Sequence, residues 1–87
     1  MAKLLPLPDD GVSLELMPSE IPLLVAVIER HFGPLEIRPH IGTYAEYRFG
    51  GCNFTFQNDW DDPCLISGSN EGTELLAQLH AHLLGSS

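Results

Sequence analysis

Apolar and polar residues alternate through the middle of the chain. Leu35, Ile37, Pro39 and Ile41 alternate with Glu36, Arg38 and His40. Ala45, Tyr47 and Phe49 alternate with Tyr44, Glu46 and Arg48, and Cys52, Phe54 and Phe56 with Asn53, Thr55 and Gln57. A period of two sends successive side chains to opposite faces of a sheet, so these runs predict three strands, each with an apolar and a polar face. Gly50-Gly51 is a two-residue hairpin signal, because the favoured turn needs positive φ at both central positions. It pairs Phe49 with Cys52, Tyr47 with Phe54 and Ala45 with Phe56.

Charge sets the register of the preceding turn. A Gly42-Thr43 loop would put Ile41 opposite Tyr44 and mix the two faces. A three-residue loop, Ile41-Gly42-Thr43, puts His40 opposite Tyr44, Arg38 opposite Glu46 and Glu36 opposite Arg48. The last two are opposite-charge pairs on the polar face, the favourable arrangement.

The flanks complete the pattern. Residues 1–11 form an extended lead-in punctuated by Pro6 and Pro8. Val12, Leu14 and Leu16 alternate with Ser13 and Glu15 as a short strand. From about Ser19, read as an N-cap, a helix carries Ile21, Leu24, Val25, Ile28 and Phe32 on one face and stops at Gly33-Pro34. Asn58–Asp62 reads as a loop and 63–67 as a fourth meander strand. Ser69 or Asn70 then caps a second helix with Leu75, Leu76, Leu79 and Leu83 inward, ending at Gly85. The expectation is an α+β fold of order β-α-β-β-β-β-α. It has two layers, with a mainly antiparallel sheet of four or five strands and both helices on its apolar face, the domain spanning 12–85.

Composition narrows the function classes. Four Lys and Arg stand against twelve Asp and Glu, a net charge of −8 in 87 residues. Such a field repels phosphate backbones and anionic membrane surfaces, which excludes nucleic acid and membrane as expected partners and favours a protein partner, a basic one included. No apolar stretch approaches the ~20 residues needed to span a bilayer, and the start of the chain lacks the pattern of a signal peptide. Cytoplasmic residence with reduced thiols is the expectation. Cys52 and Cys64 form no zinc-type spacing. Cys64 is placed opposite Phe56 and core-facing, ~13 Å from Cys52 at ~3.3 Å per residue, so two free thiols are expected.

The candidate sites are few. His80 and His82 diverge by about 200° around a helix, so they cannot share a metal, and His31 and His40 read as surface or structural residues. Buried apolar cysteines are inert, and no nucleophile, base and orienting group fall together, so no catalytic residue and no cofactor is assigned. Asp59, Trp60, Asp61 and Asp62 make the most unusual local run, either an exposed aromatic anchor in an acidic rim or a loop for a hard cation. Arg38 and Arg48 share the polar sheet face with Tyr44 and His40, but each has a Glu opposite. Leu23 and Val27, at i and i+4, form a second apolar ridge on the first helix, serving the core or a homodimer seam. The leading expectation is a non-enzymatic protein-interaction module, of the inhibitor, immunity or adaptor kind. The alternative is a small-ligand or metal-ion binding domain using the outer sheet face or the Asp59–Asp62 loop.

Overall fold

The computed structural model describes residues 2–8, 11–40, 42, 44–59 and 62–85, with Asp59 described in its backbone alone. The elements are β1 (Lys3–Pro6), β2 (Val12–Glu15), a 3-10 turn (Pro18–Glu20), α1 (Ile21–Phe32), β3 (Glu36–Pro39), β4 (Tyr44–Phe49), β5 (Cys52–Asp59), β6 (Asp62–Ser67) and α2 (Asn70–Gly85). The six strands form one antiparallel sheet in the order β1-β2-β6-β5-β4-β3. The fold is α+β, as the patterning predicts. The sixth strand comes from the lead-in, where Lys3 to Pro6 pair with β2 at the edge.

The charge-derived register holds. Glu36 lies opposite Arg48 and Arg38 opposite Glu46, and the His40 N–H donates to the Tyr44 carbonyl at 3.0 Å. The Gly50-Gly51 turn has φ of 60° and 79° and pairs Phe49 with Cys52, Tyr47 with Phe54 and Ala45 with Phe56. The guanidinium of Arg38 turns along its own strand to Glu36 at 3.1 Å, while Arg48 approaches the same carboxylate at 4.0 Å.

Two expectations are corrected. The ladder between β5 and β6 continues to Asp59 opposite Asp62, so Asn58, Asp59 and Asp62 of the expected 58–62 loop belong to strands, and positions 60–61 lie outside the described residues. This register puts Leu65 opposite Phe56, while Cys64 lies opposite Gln57 on one side and Glu15 on the other. A shift of one residue exchanges the faces of a strand, so Cys64 belongs to the polar face and Cys52 to the apolar one. The two cysteines form no disulfide, as expected, and the sheet lies between them. Ser19 is not the cap of α1. The 3-10 turn precedes the helix, and Glu20 Oε1 accepts the Met17 N–H at 2.8 Å, as the acidic residue of a capping box does.

The core lies between the helices and one sheet face. Leu14, Leu65 and Phe56 form a row across β2, β6 and β5, and Ser67, Phe54 and Tyr47 form the next. Leu24 and Ile28 of α1 and Leu76 and Leu79 of α2 close over them, all four fully buried. The rings of Tyr47 and Phe56 stack at 4.7 Å, and those of Phe49 and Phe54 at 4.4 Å. Buried Ser67 is satisfied by the Thr73 hydroxyl at 2.9 Å, and Ser69 Oγ caps α2 by accepting the Gly72 N–H at 3.0 Å. A Cβ at Gly72 would lie 3.2 Å from Ser67 Cβ and 3.3 Å from the Phe54 ring, so the absent side chain lets α2 sit close on β5 and β6. His80 Nε2 lies 3.2 Å from the Ala2 carbonyl, which only accepts, so that nitrogen carries the proton. The contact ties α2 to the start of the chain.

Both sheet edges are disfavoured for a further strand. The His40–Tyr44 bond turns the backbone groups of Arg38 and Glu36 inward, leaving those of Ile37 and Pro39 facing out. The Leu7–Gly11 bond likewise leaves Leu4 and Pro6 facing out on β1. Each edge therefore carries a proline, with no N–H, at an outward position.

Replacing Leu65 by Ala is expected to destabilise the fold by about 2–5 kcal/mol, whereas Ile66→Ala, one residue on but on the opposite face, should cost about 1 kcal/mol. Urea denaturation of the two variants checks the assignment, and equal costs would contradict it.

Candidate functional site

The four strands of the meander and the two N-terminal strands each contribute alternate residues to the sheet face turned away from the helices. Among the described residues no element packs on this face. Among the described residues its charged side chains are Lys3, Glu15 and Asp62 on one flank and Glu36, Arg38, Glu46 and Arg48 on the other, three bases and four acids. The two central strands bring Asn53, Thr55 and Gln57 from β5 and Cys64 and Ile66 from β6, none of them an acid or base at neutral pH. Ser13 of β2 is buried on this face between Leu5 and Ile66 in the ladder. Asp62 shares its parity and lines a shallow pocket with Lys3 and Glu15.

The result is a segregation of charge. Three of the four basic residues lie on the outer sheet face, where four acids accompany them among the described residues. The other eight acidic residues, with Arg30 as the remaining base, account for −7 of the net charge of −8. The face thus carries little net charge on an acidic molecule, uncharged at its centre and charged at its flanks. Tyr44 lies exposed on it beside the β3–β4 arginines.

The residues singled out from sequence fall apart in space. Trp60 and Asp61 lie outside the described residues. Asp59 and Asp62 are register partners in the backbone at the end of the β5–β6 ladder. The ridge on α1 is split: Val27 is 5% exposed and belongs to the core, while Leu23 is 37% exposed at the surface. A shallow cleft of ≈ 240 Å³ lies beside Leu23, Ala26 and Arg30. Among the described residues no three His, Cys, Asp or Glu side chains come together as metal ligands. A groove of ≈ 470 Å³ lies between the end of α1 and the β4–β5 turn, with Phe32, Leu35 and Cys52 along it and the Arg48–Glu36 pair at its margin. It offers no converging polar set.

Helical periodicity missed one contact. The imidazoles of His31, in the last turn of α1, and His82, near the end of α2, stack at 3.7 Å with 10° between their planes. The Phe32 ring meets His82 edge-on at 6.0 Å and Phe49 of β4 at 5.8 Å. Desolvation, then repulsion from His82 and from Arg30, holds the His31 pKa below the ordinary imidazole value. Burial pushes the Tyr47 phenol up.

The chain matches no family model, and neither a curated protein nor a solved structure is similar to it. Among the described residues no helix is long and apolar enough to cross a membrane.

The lowered pKa of His31 makes a signed prediction. The folded protein holds that proton less tightly than the unfolded chain, so stability is full above the ordinary imidazole pKa and declines as pH falls through it. Thermal unfolding between about pH 7.5 and about pH 5.5 should show a falling midpoint in the wild type and a flatter profile in His31→Gln. Parallel profiles would show that the stack carries no proton linkage.

Proposed function

We propose that this chain is a non-enzymatic protein-interaction module that docks a protein on the outer face of its sheet. The observation that carries the reading is the uncharged centre and charged margin of an uncovered face on an otherwise acidic molecule. Protein interfaces deplete charge at their centre, keep a polar rim, and favour Tyr and Arg over Lys and Glu. Tyr44, Arg38 and Arg48 supply those types here. Strand addition is the other common use of a sheet, and the outward prolines of β1 and β3 oppose it, so recognition is face-on.

The expectation of a basic partner rests on the net charge of −8 and on the acidic run Asp59–Asp62. The outer face, with three bases and four acids among the described residues, sets little such preference and selects by shape and hydrogen bonding. The net charge acts at longer range, steering basic proteins toward the molecule. Binding of a metal ion or a small ligand gains no comparable support from the described residues.

Thr55 is exposed at the centre of the face, so Thr55→Arg changes the face without opening the core. Affinity capture with cross-linking should recover a protein on the wild type and on the helix-side variant Leu23→Glu. Thr55→Arg should weaken its binding about tenfold or more, about 1.4 kcal/mol. A partner held equally by Thr55→Arg, or lost equally with Leu23→Glu, would refute the assignment of the face.

A further inference from the structure

We propose that His31 and His82 form a two-histidine site for a divalent transition cation of the class of Ni²⁺, Cu²⁺ and Zn²⁺, joining the ends of the two helices. The site lies on the helical side of the molecule. It uses neither the outer sheet face nor the Asp59–Asp62 run, and it acts as a clamp on the fold beside the docking function. Proximity is the first argument. The two imidazoles come from different helices, yet they stack with ring centroids 3.7 Å apart and 10° between their planes. His31 is exposed and His82 half-buried, so the pair borders solvent. A neutral imidazole keeps a lone pair on one ring nitrogen, and it is the commonest side-chain ligand for these metals.

The distances required are the second argument. Stacked rings aim their lone pairs side by side, so the stack is the unliganded arrangement. Two nitrogens on one metal, each at ~2.0–2.1 Å, lie ~3.0–3.4 Å apart, which puts their ring centroids about 4.5–5 Å apart. The rings therefore have to part at one edge by about 1 Å, a movement that side-chain rotation supplies without shifting either helix. The Phe32 ring stands edge-on to His82 at 6.0 Å and backs it, which leaves the exposed His31 as the ring with room to swing. Among the described residues no third His, Cys, Asp or Glu completes a ligand set. Water fills the remaining positions, and the metal is exchangeable.

The field at the site is the third argument. His31 lies in the last turn of α1 and His82 in the last turn of α2. A helix C-terminus carries the equivalent of about −0.5 charge and favours a cation within its last turn. Two such ends meet here, on a chain of net charge −8. Arg30 is the opposing charge, and its side chain is exposed, where water weakens the repulsion.

Titration of the full chain with Ni²⁺ at about pH 7.5, from about 1 µM to about 10 mM metal, is the test. Ni²⁺ is the probe because thiols compete more strongly for Zn²⁺. The thermal unfolding midpoint should rise by about 5–10 °C once the metal is tenfold above its dissociation constant. The paramagnetic ion should broaden the His31 and His82 resonances before those of His40 and His80. Because one ion needs both ligands, His31→Gln and His82→Gln should each weaken binding about tenfold or more, and the double substitution little further. His40→Gln should leave the affinity within about twofold. Circular dichroism confirms that each variant is folded, and the broadening pattern of the wild type decides the matter if one is not. The absence of any midpoint rise and broadening overturns the site. So does an affinity unchanged by either single substitution, or broadening that begins at His40 or His80.

Discussion

The pairing of β2 with β6 makes one sheet out of two pieces. On one side stands the N-terminal hairpin, β1 and β2; on the other, the meander from β3 to β6. Leu14 opposite Leu65 joins them, with Phe56 next in the row. All neighbours being antiparallel, β2 and β3 run parallel at opposite sides of the meander, and α1 spans the strands between them. The ladder joins residues some fifty positions apart in sequence, so it carries a loop-closure cost that burial of Leu14, Leu65 and the helical leucines must exceed. The position of β1, the burial of Ala2 and the His80–Ala2 contact all depend on that closure.

One consequence is a division of labour between the faces. The inner face takes nearly all the large apolar residues and leaves the outer face polar, as a two-layer domain must. Inside that polar set the charges are sorted again. The meander places Asn, Thr and Gln of β5 at the centre because β5 is flanked on both sides, while the charged residues of β3 and β4 come to the flank. The strand order therefore turns a simple alternation in the sequence into a patterned surface.

Much of this was legible because it is local. Alternation located β3, β4 and β5, Gly50-Gly51 fixed one turn, and two opposite-charge pairs fixed the other. What failed depends on lengths of pairing or on packing between elements. The Asn58–Asp62 segment reads as a polar loop because acids dominate it, yet backbone pairing runs nearly to its tip, and the one-residue difference carried Cys64 to the other face. Pro6 disguised β1, since proline in a run argues against a strand unless its missing N–H faces out, which only the pairing reveals. Val27 looked surplus to one helical face because the breadth of burial around α1 is not contained in its own periodicity. The His31–His82 stack depends on how two helices meet. For the outer face, the polar positions were readable strand by strand, but the neutral centre appears once the strand order is known.

The prolines at the two margins have a bearing beyond recognition. Resistance to aggregation in an acidic protein is commonly credited to its net charge, and that protection fades as salt rises. A missing hydrogen-bond donor is indifferent to salt. Pro6 and Pro39 remove one at each end of the sheet, where fibre-like growth by strand addition would begin. The molecule thus carries two safeguards of different physical origin, and the second persists under the crowded, ionic conditions that weaken the first.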